Sequence, residues 1–97
     1  MSNESEIQSN IILYLTAIGC KVINTVSLSK SGNADLVICY KGFYVEIEVK
    51  DVNKNARKLQ VLKGKETTDA EGFWFVAHSV EEVKEAIEFV NQVKGLV

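Results

Sequence analysis

The residues predict an α/β domain in which helices flank a mixed sheet, in the order α-β-β-β-α-β-α. Three observations carry this prediction. Residues 4–18 place Ile7, Ile11, Tyr14, Leu15 and Ile18 at spacings of 4, 3, 1 and 3, which is a helical stripe. Residues 43–50 alternate apolar and polar side chains with period two, as a strand does. Near the end of the chain, Val80, Val83, Ile87 and Val90 return to helical spacing behind Ser79, with Glu82 at the third position of a capping box.

Each element follows from local chemistry. Ser2 or Asn3 can cap the first helix, and Gly19 stands where a helix ends. Residues 21–28 (KVINTVSL) are rich in β-branched residues and alternate, so they predict a strand, followed by a loop over 29–33. Residues 34–39 (ADLVIC) form an almost continuous apolar run, as expected of an interior strand. Lys41-Gly42 makes a two-residue turn into the strand over 43–50. A short helix is expected over 53–63 on a thin stripe of Ala56, Leu59 and Leu62, and the ETTDAEG stretch is expected to be a loop. FWFVAH (73–78) predicts the last strand before the capped helix.

A chain of 97 residues makes one domain, 1–97, with a modest core and reason to associate with a partner subunit. No apolar run reaches membrane-spanning length, and MSNESEIQSN is too polar for a signal peptide. Cys20 and Cys39 lie in apolar contexts without metal-ligand spacing, so both are expected to be buried free thiols of a reducing cytoplasm. Charge is unevenly spread. Residues 50–65 carry six basic side chains against one acid, whereas the chain from Glu66 onward has seven acids and two lysines. The basic segment suits either a solvated helix surface or a face built for an anion.

The hairpin raises a sharper question. With a two-residue turn, opposed residue numbers sum to 83, and Asp35 stands across from Glu48 on one face, with Lys50 two residues further along. Like charges so placed destabilise a sheet, and a divalent cation with hard oxygen ligands would explain them. A lysine beside that cation can hold a phosphate oxygen or orient an attacking water. The alternative is a solvated strand face, with Asp35 capping the preceding loop. Glu4 falls near the stripe of Ile7, Ile11 and Leu15, with Gln8 beside it, whereas Glu6 turns toward solvent. Glu4 can serve the helix dipole or reach the Asp35/Glu48 pair. Glu46 is a further acid on the same face, either a metal ligand or solvated.

An acid in the first helix, an aspartate opening the second strand and E-x-K on the third resemble the PD-(D/E)xK nuclease superfamily, and more narrowly the virus-type replication-repair nuclease (VRR-NUC) family. The matching stretches are ESEIQSNIILYL (4–15), GNAD (32–35), EIEVK (46–50), LQVL (59–62) and HSVEEV (78–83). The resemblance implies a restriction-endonuclease-like αβββαβ(α) core. It implies Glu4, Asp35 and Glu48 with the Val49 carbonyl as ligands of Mg²⁺, for which Mn²⁺ can substitute. It also implies Lys50 as the catalytic lysine and Gln60 as a glutamine near the site, orienting water or Lys50. Lys54, Arg57 and Lys58 would hold the DNA backbone. The family usually has proline where this chain has Ala34, which costs loop rigidity while keeping the aspartate. Stand-alone members are similar to phage Holliday-junction resolvases, which act as homodimers on branched DNA in the host cytoplasm. The rivals are a flap or nicking nuclease of the same fold and a non-catalytic DNA-binding module. His78 is expected to have a structural or capping role, Phe73, Trp74 and Phe75 to pack in the core or a dimer, and Phe89 to add apolar surface for a dimer interface.

Overall fold

The computed structural model describes residues 3–25 and 34–96. Its elements are α1 (Glu4–Ala17), β1 (Lys21–Asn24), β2 (Leu36–Tyr40), β3 (Phe43–Val49), α2 (Lys58–Asp69), β4 (Phe73–Ala77) and α3 (Val80–Lys94). The strands form one sheet in the order β1-β2-β3-β4. β1, β2 and β3 pair antiparallel, and β4 joins β3 in parallel, so the sheet is mixed as expected. Residues 26–28 of the strand expected over 21–28, and the loop expected over 29–33, lie outside the described residues. Among the described residues, no helix is long and apolar enough to cross a membrane.

Lys41 and Gly42 both have positive φ, 50° and 88°, which is the conformation a two-residue hairpin turn requires. The ladder follows from it, pairing Tyr40 with Phe43 and Leu36 with Ile47. Leu36, Ile38, Tyr40, Val45, Ile47 and Val49 therefore share one face. That face is buried under Ile7, Ile11 and Leu15 of α1 and Val83, Ile87 and Val90 of α3. The Tyr40 hydroxyl donates to Asn91 Oδ1 at 2.7 Å, fastening β2 to α3. Asn3 caps α1 by accepting from the Glu6 N–H, and Ser79 Oγ accepts from the Glu82 N–H at α3.

The opposite face of the sheet carries α2, and here three expectations change. The helix runs over Lys58–Asp69, not 53–63, and takes in most of the stretch expected to be a loop. Lys65 pairs with Asp69 one turn on, and the Thr67 and Thr68 hydroxyls bond back to the Lys63 and Gly64 carbonyls. These local contacts make a helix of a threonine-rich segment. The buried side of α2 also differs, because Leu59 and Leu62 point outward while Gln60 and Gly64 face the sheet. The reason lies underneath: this face of β3 presents Glu46 and Glu48, which call for polar partners. Finally, Cys39 is exposed and only Cys20 is buried. Cys39 alternates with Ile38 and Tyr40 and so turns away from the core.

Gly64 lets α2 lie close to β4. A Cβ there would come within 2.2 Å of Trp74 Cδ2. Gly64→Ala is expected to lower stability by about 1–2 kcal/mol, since overpacking outweighs the helix propensity gained. Urea denaturation measures this, and an alanine variant as stable as the parent would show that α2 does not rest on the indole.

Candidate active site

The hairpin register continues past the last ladder pair, Leu36 with Ile47, so Asp35 lies across from Glu48. The main chain at Asp35 is held by the residue that follows β1, where the Thr25 N–H donates to the Asp35 carbonyl at 2.9 Å. The Thr25 hydroxyl also bonds to the Ala34 carbonyl. The Asp35 side chain reaches across the hairpin, and its Oδ2 accepts from the Val49 N–H at 2.8 Å. This interaction fixes the carboxylate at the C-terminal end of β3.

Glu48 is only 2% exposed, the most deeply buried acid among the described residues. Its Oε2 accepts from Gln60 Nε2 at 2.6 Å and pairs with Lys50 Nζ at 3.3 Å. Its Oε1 is buried and has no donor. Burial pushes the Glu48 carboxyl up to about 7; the Asp35 charge adds to this, and Lys50 opposes it. Lys50 is itself largely enclosed, with 13% of its side chain exposed.

Gln60 uses both ends of its amide. Nε2 donates to Glu48, and Oε1 accepts from the Arg57 N–H at 2.7 Å, closing the first turn of α2. Its partner is thus Glu48, whereas the expectation was water or Lys50. Glu46 is half-buried, and each of its oxygens has a partner. Its Oε2 accepts from the Tyr44 hydroxyl at 2.5 Å and its Oε1 from Thr67 Oγ1 at 2.6 Å. Both oxygens are satisfied, so Glu46 fastens α2 to the sheet. Sequence reasoning missed Thr67, although Gln60, Gly64 and Thr67 fall at i, i+4 and i+7 on one helical face.

Glu4 stands apart from this cluster. It is exposed on the first turn of α1, where it lines an open cleft of about 490 Å³ together with Gln8, Asn24 and Asp35. Among the described residues, no three acidic, histidine or cysteine side chains converge on one point. The expected trio of Glu4, Asp35 and Glu48 is therefore a tight pair with the third acid at the cleft rim. The cause is the helix stripe, which buries Ile7, Ile11 and Leu15 and leaves the first turn beyond them. Lys54, Arg57 and Lys58 are all exposed, on the segment joining Lys50 to Gln60 and on the first turn of α2.

A solved structure described as a "VRR_NUC domain" superposes on this chain with a TM-score of 0.77, at 24% identity, over 91% of this chain and 97% of that one. The fold is that of a VRR_NUC domain. No family model matches the sequence, and no curated protein matches it. Within the VRR_NUC fold, this chain brings Asp35, Glu48, Lys50 and Gln60 into one site at the end of β3. It keeps Glu4 facing the same cleft from α1 and spreads its basic side chains beside α2.

Proposed function

We propose that this protein is a Mg²⁺-dependent nuclease of the VRR-NUC type, which cuts branched DNA endonucleolytically and resolves four-way junctions as a homodimer. The observation that most supports this reading is the Glu48 carboxylate, buried beside Asp35 with one oxygen held by Gln60 and Lys50 and the other without a donor. Such a pair of hard oxygen anions fits a divalent cation. Asp35, Glu48 and the Val49 carbonyl would hold Mg²⁺ or Mn²⁺, with Glu4 available from the cleft rim. When bound, the cation stabilises charge on the phosphate and on the leaving oxygen.

The chain's own groups do the positioning. Gln60 keeps the Glu48 carboxylate in one rotamer. The Lys50 ammonium, held on Glu48, offers its remaining N–H donors to a phosphate oxygen or to the attacking water. Lys54, Arg57 and Lys58 grip the backbone next to the site. A domain this small has little surface for reading bases, which favours recognition of DNA shape and phosphates. A two-fold dimer matches the two symmetric cuts that a junction requires.

The test is incubation with Mg²⁺ and end-labelled duplex, flap, fork and four-way DNA, with the cuts mapped. Paired symmetric nicks across the junction are the expected result. Cuts confined to flaps or to single duplex strands would replace junction resolution with flap or nicking activity. Saturable DNA binding with no cutting of any substrate would make this a binding module.

A grip on the backbone also predicts salt dependence. Replacing Lys54, Arg57 and Lys58 together with alanine should flatten the slope of log K against log salt by roughly 0.9 for each phosphate that is no longer neutralised. Fluorescence anisotropy across a salt series measures it, and an unchanged slope would move the DNA to another surface.

A further inference from the structure

The segment between Lys50 and α2 links the lysine of the site to Gln60, yet its own hydrogen bonds are mostly local. The Val52 N–H donates to Asp51 Oδ1, the Lys54 N–H donates to the Asp51 carbonyl, and Asn53 takes a left-handed φ of 70°. At one end, the Lys50 N–H donates to the Ala77 carbonyl of β4. At the other, the Arg57 N–H donates to Gln60. Between these ends, the Lys54 carbonyl meets the ring of His78 at 2.7 Å from Nε2.

His78 is the chain's single histidine. Its Nδ1 lies 2.9 Å from Glu82 Oε1, which also accepts the His78 main-chain N–H at 2.8 Å. A carbonyl oxygen can only accept. So can a carboxylate, and the contacts with His78 hold the Glu82 carboxyl below its ordinary range, hence ionised. Both ring nitrogens thus face acceptors, and both must carry hydrogen for the two contacts to be attractive.

We propose that His78 is a positioning residue: as an imidazolium it clasps the 51–57 segment to the start of α3, and so holds Lys50 and Gln60 in register around Glu48. This role rests on the nuclease reading of that site; the clasp itself does not. Its Glu82 and Lys54 partners raise the ring above its ordinary 6.5, with the hydrogen bond to Glu82 the largest cause and burial opposing. Glu82 on α3 and the Lys54 carbonyl are the groups facing the ring, and the open hollow around it is lined also by Asn53 and Asn55. The clasp is complete below 6.5 and is lost as pH rises through the raised value, because a neutral ring must turn a lone pair to one acceptor.

Three readouts test this on the intact protein. Ring ¹⁵N NMR follows the single histidine through a pH titration. Amide exchange, corrected for intrinsic rate, follows residues 51–57. Mg²⁺-dependent cleavage of four-way DNA gives the alkaline limb of the activity profile. Expected is a ring protonated on both nitrogens below a midpoint above 6.5, with exchange in 51–57 about tenfold faster once that midpoint is passed and cleavage falling over the same range. Glu82→Gln should move all three transitions together toward lower pH. His78→Phe should leave the segment in fast exchange at every pH. A ring midpoint at or below 6.5, or exchange indifferent to ring titration, would overturn the clasp. A cleavage limb that stays in place in Glu82→Gln while exchange moves would overturn the positioning role. If no DNA substrate is cut, the nuclease reading and with it the positioning role fail, while the ring and exchange measurements still decide the clasp.

Discussion

Asp35→Ala is expected to lower Mg²⁺-dependent cleavage by about a thousandfold or more, while DNA binding persists. A metal ion contributes several kcal/mol of charge stabilisation to the transition state, and each 1.4 kcal/mol is about tenfold in rate. Removing one of two carboxylates forfeits much of that. The fold should survive, because loss of the Val49 N–H bond is partly offset by relief of repulsion at Glu48. Asp35→Asn is the closer control, since its amide oxygen can still accept from Val49. Single-turnover cleavage under saturating enzyme, with binding measured separately in Ca²⁺, separates chemistry from affinity. Cleavage at the parent rate in both variants would remove Asp35 from the reaction.

Glu48→Gln is expected to have opposite effects on activity and stability. Cleavage should fall below detection, yet the metal-free protein should melt roughly 5–10 °C higher at pH 8, on the scale of a few °C per kcal/mol for a domain of this size. The cause is the buried pair. Glu48 titrates at 4.5 ordinarily and at about 7 in the metal-free fold. Between those values the folded state binds more protons than the unfolded chain, so stability declines as pH rises from 4.5 through 7 and then levels off. The ionised, unfilled site thus costs on the order of 3 kcal/mol at pH 8. A glutamine keeps an acceptor for Gln60 and offers the Asp35 carboxylate a donor in place of a charge. Mg²⁺ should stabilise the parent increasingly as pH rises through 7, because proton and cation compete for Glu48. It should leave Glu48→Gln nearly unmoved. Scanning calorimetry at pH 5 and pH 8, with and without Mg²⁺, reads all of these, and a variant less stable than the parent at pH 8 would mean that Glu48 is not strained by its surroundings.

Much of the sheet was legible because its pattern is local. Alternation in FYVEIEV sorted Val45, Ile47 and Val49 from Glu46 and Glu48, and the Lys41-Gly42 turn set the register that brings Asp35 to Glu48. The span and the inward face of helix α2 were not legible, because the side chains it turns to the sheet are Gln60, Gly64 and the half-buried Thr67 while its apolar residues point outward. A hydrophobic stripe finds the face a helix turns to an apolar core, and this helix turns to acids. The role of Glu46 was hidden for the same reason, since its donors Tyr44 and Thr67 come from different elements. Glu4 was placed near the buried stripe by angle alone, but an angle does not say how far the helix extends past the sheet.

What this sequence determined by itself was the order of elements, the two faces of β3 and the opposition of residues 35 and 48. All three follow from spacing along the chain and from one turn of known length. Only the tertiary structure decided which acid is buried without a donor, which amide holds it, and that the lone histidine stands between two acceptors. Those facts depend on atoms distant in sequence meeting within about 3 Å, and periodicity carries no record of such distances.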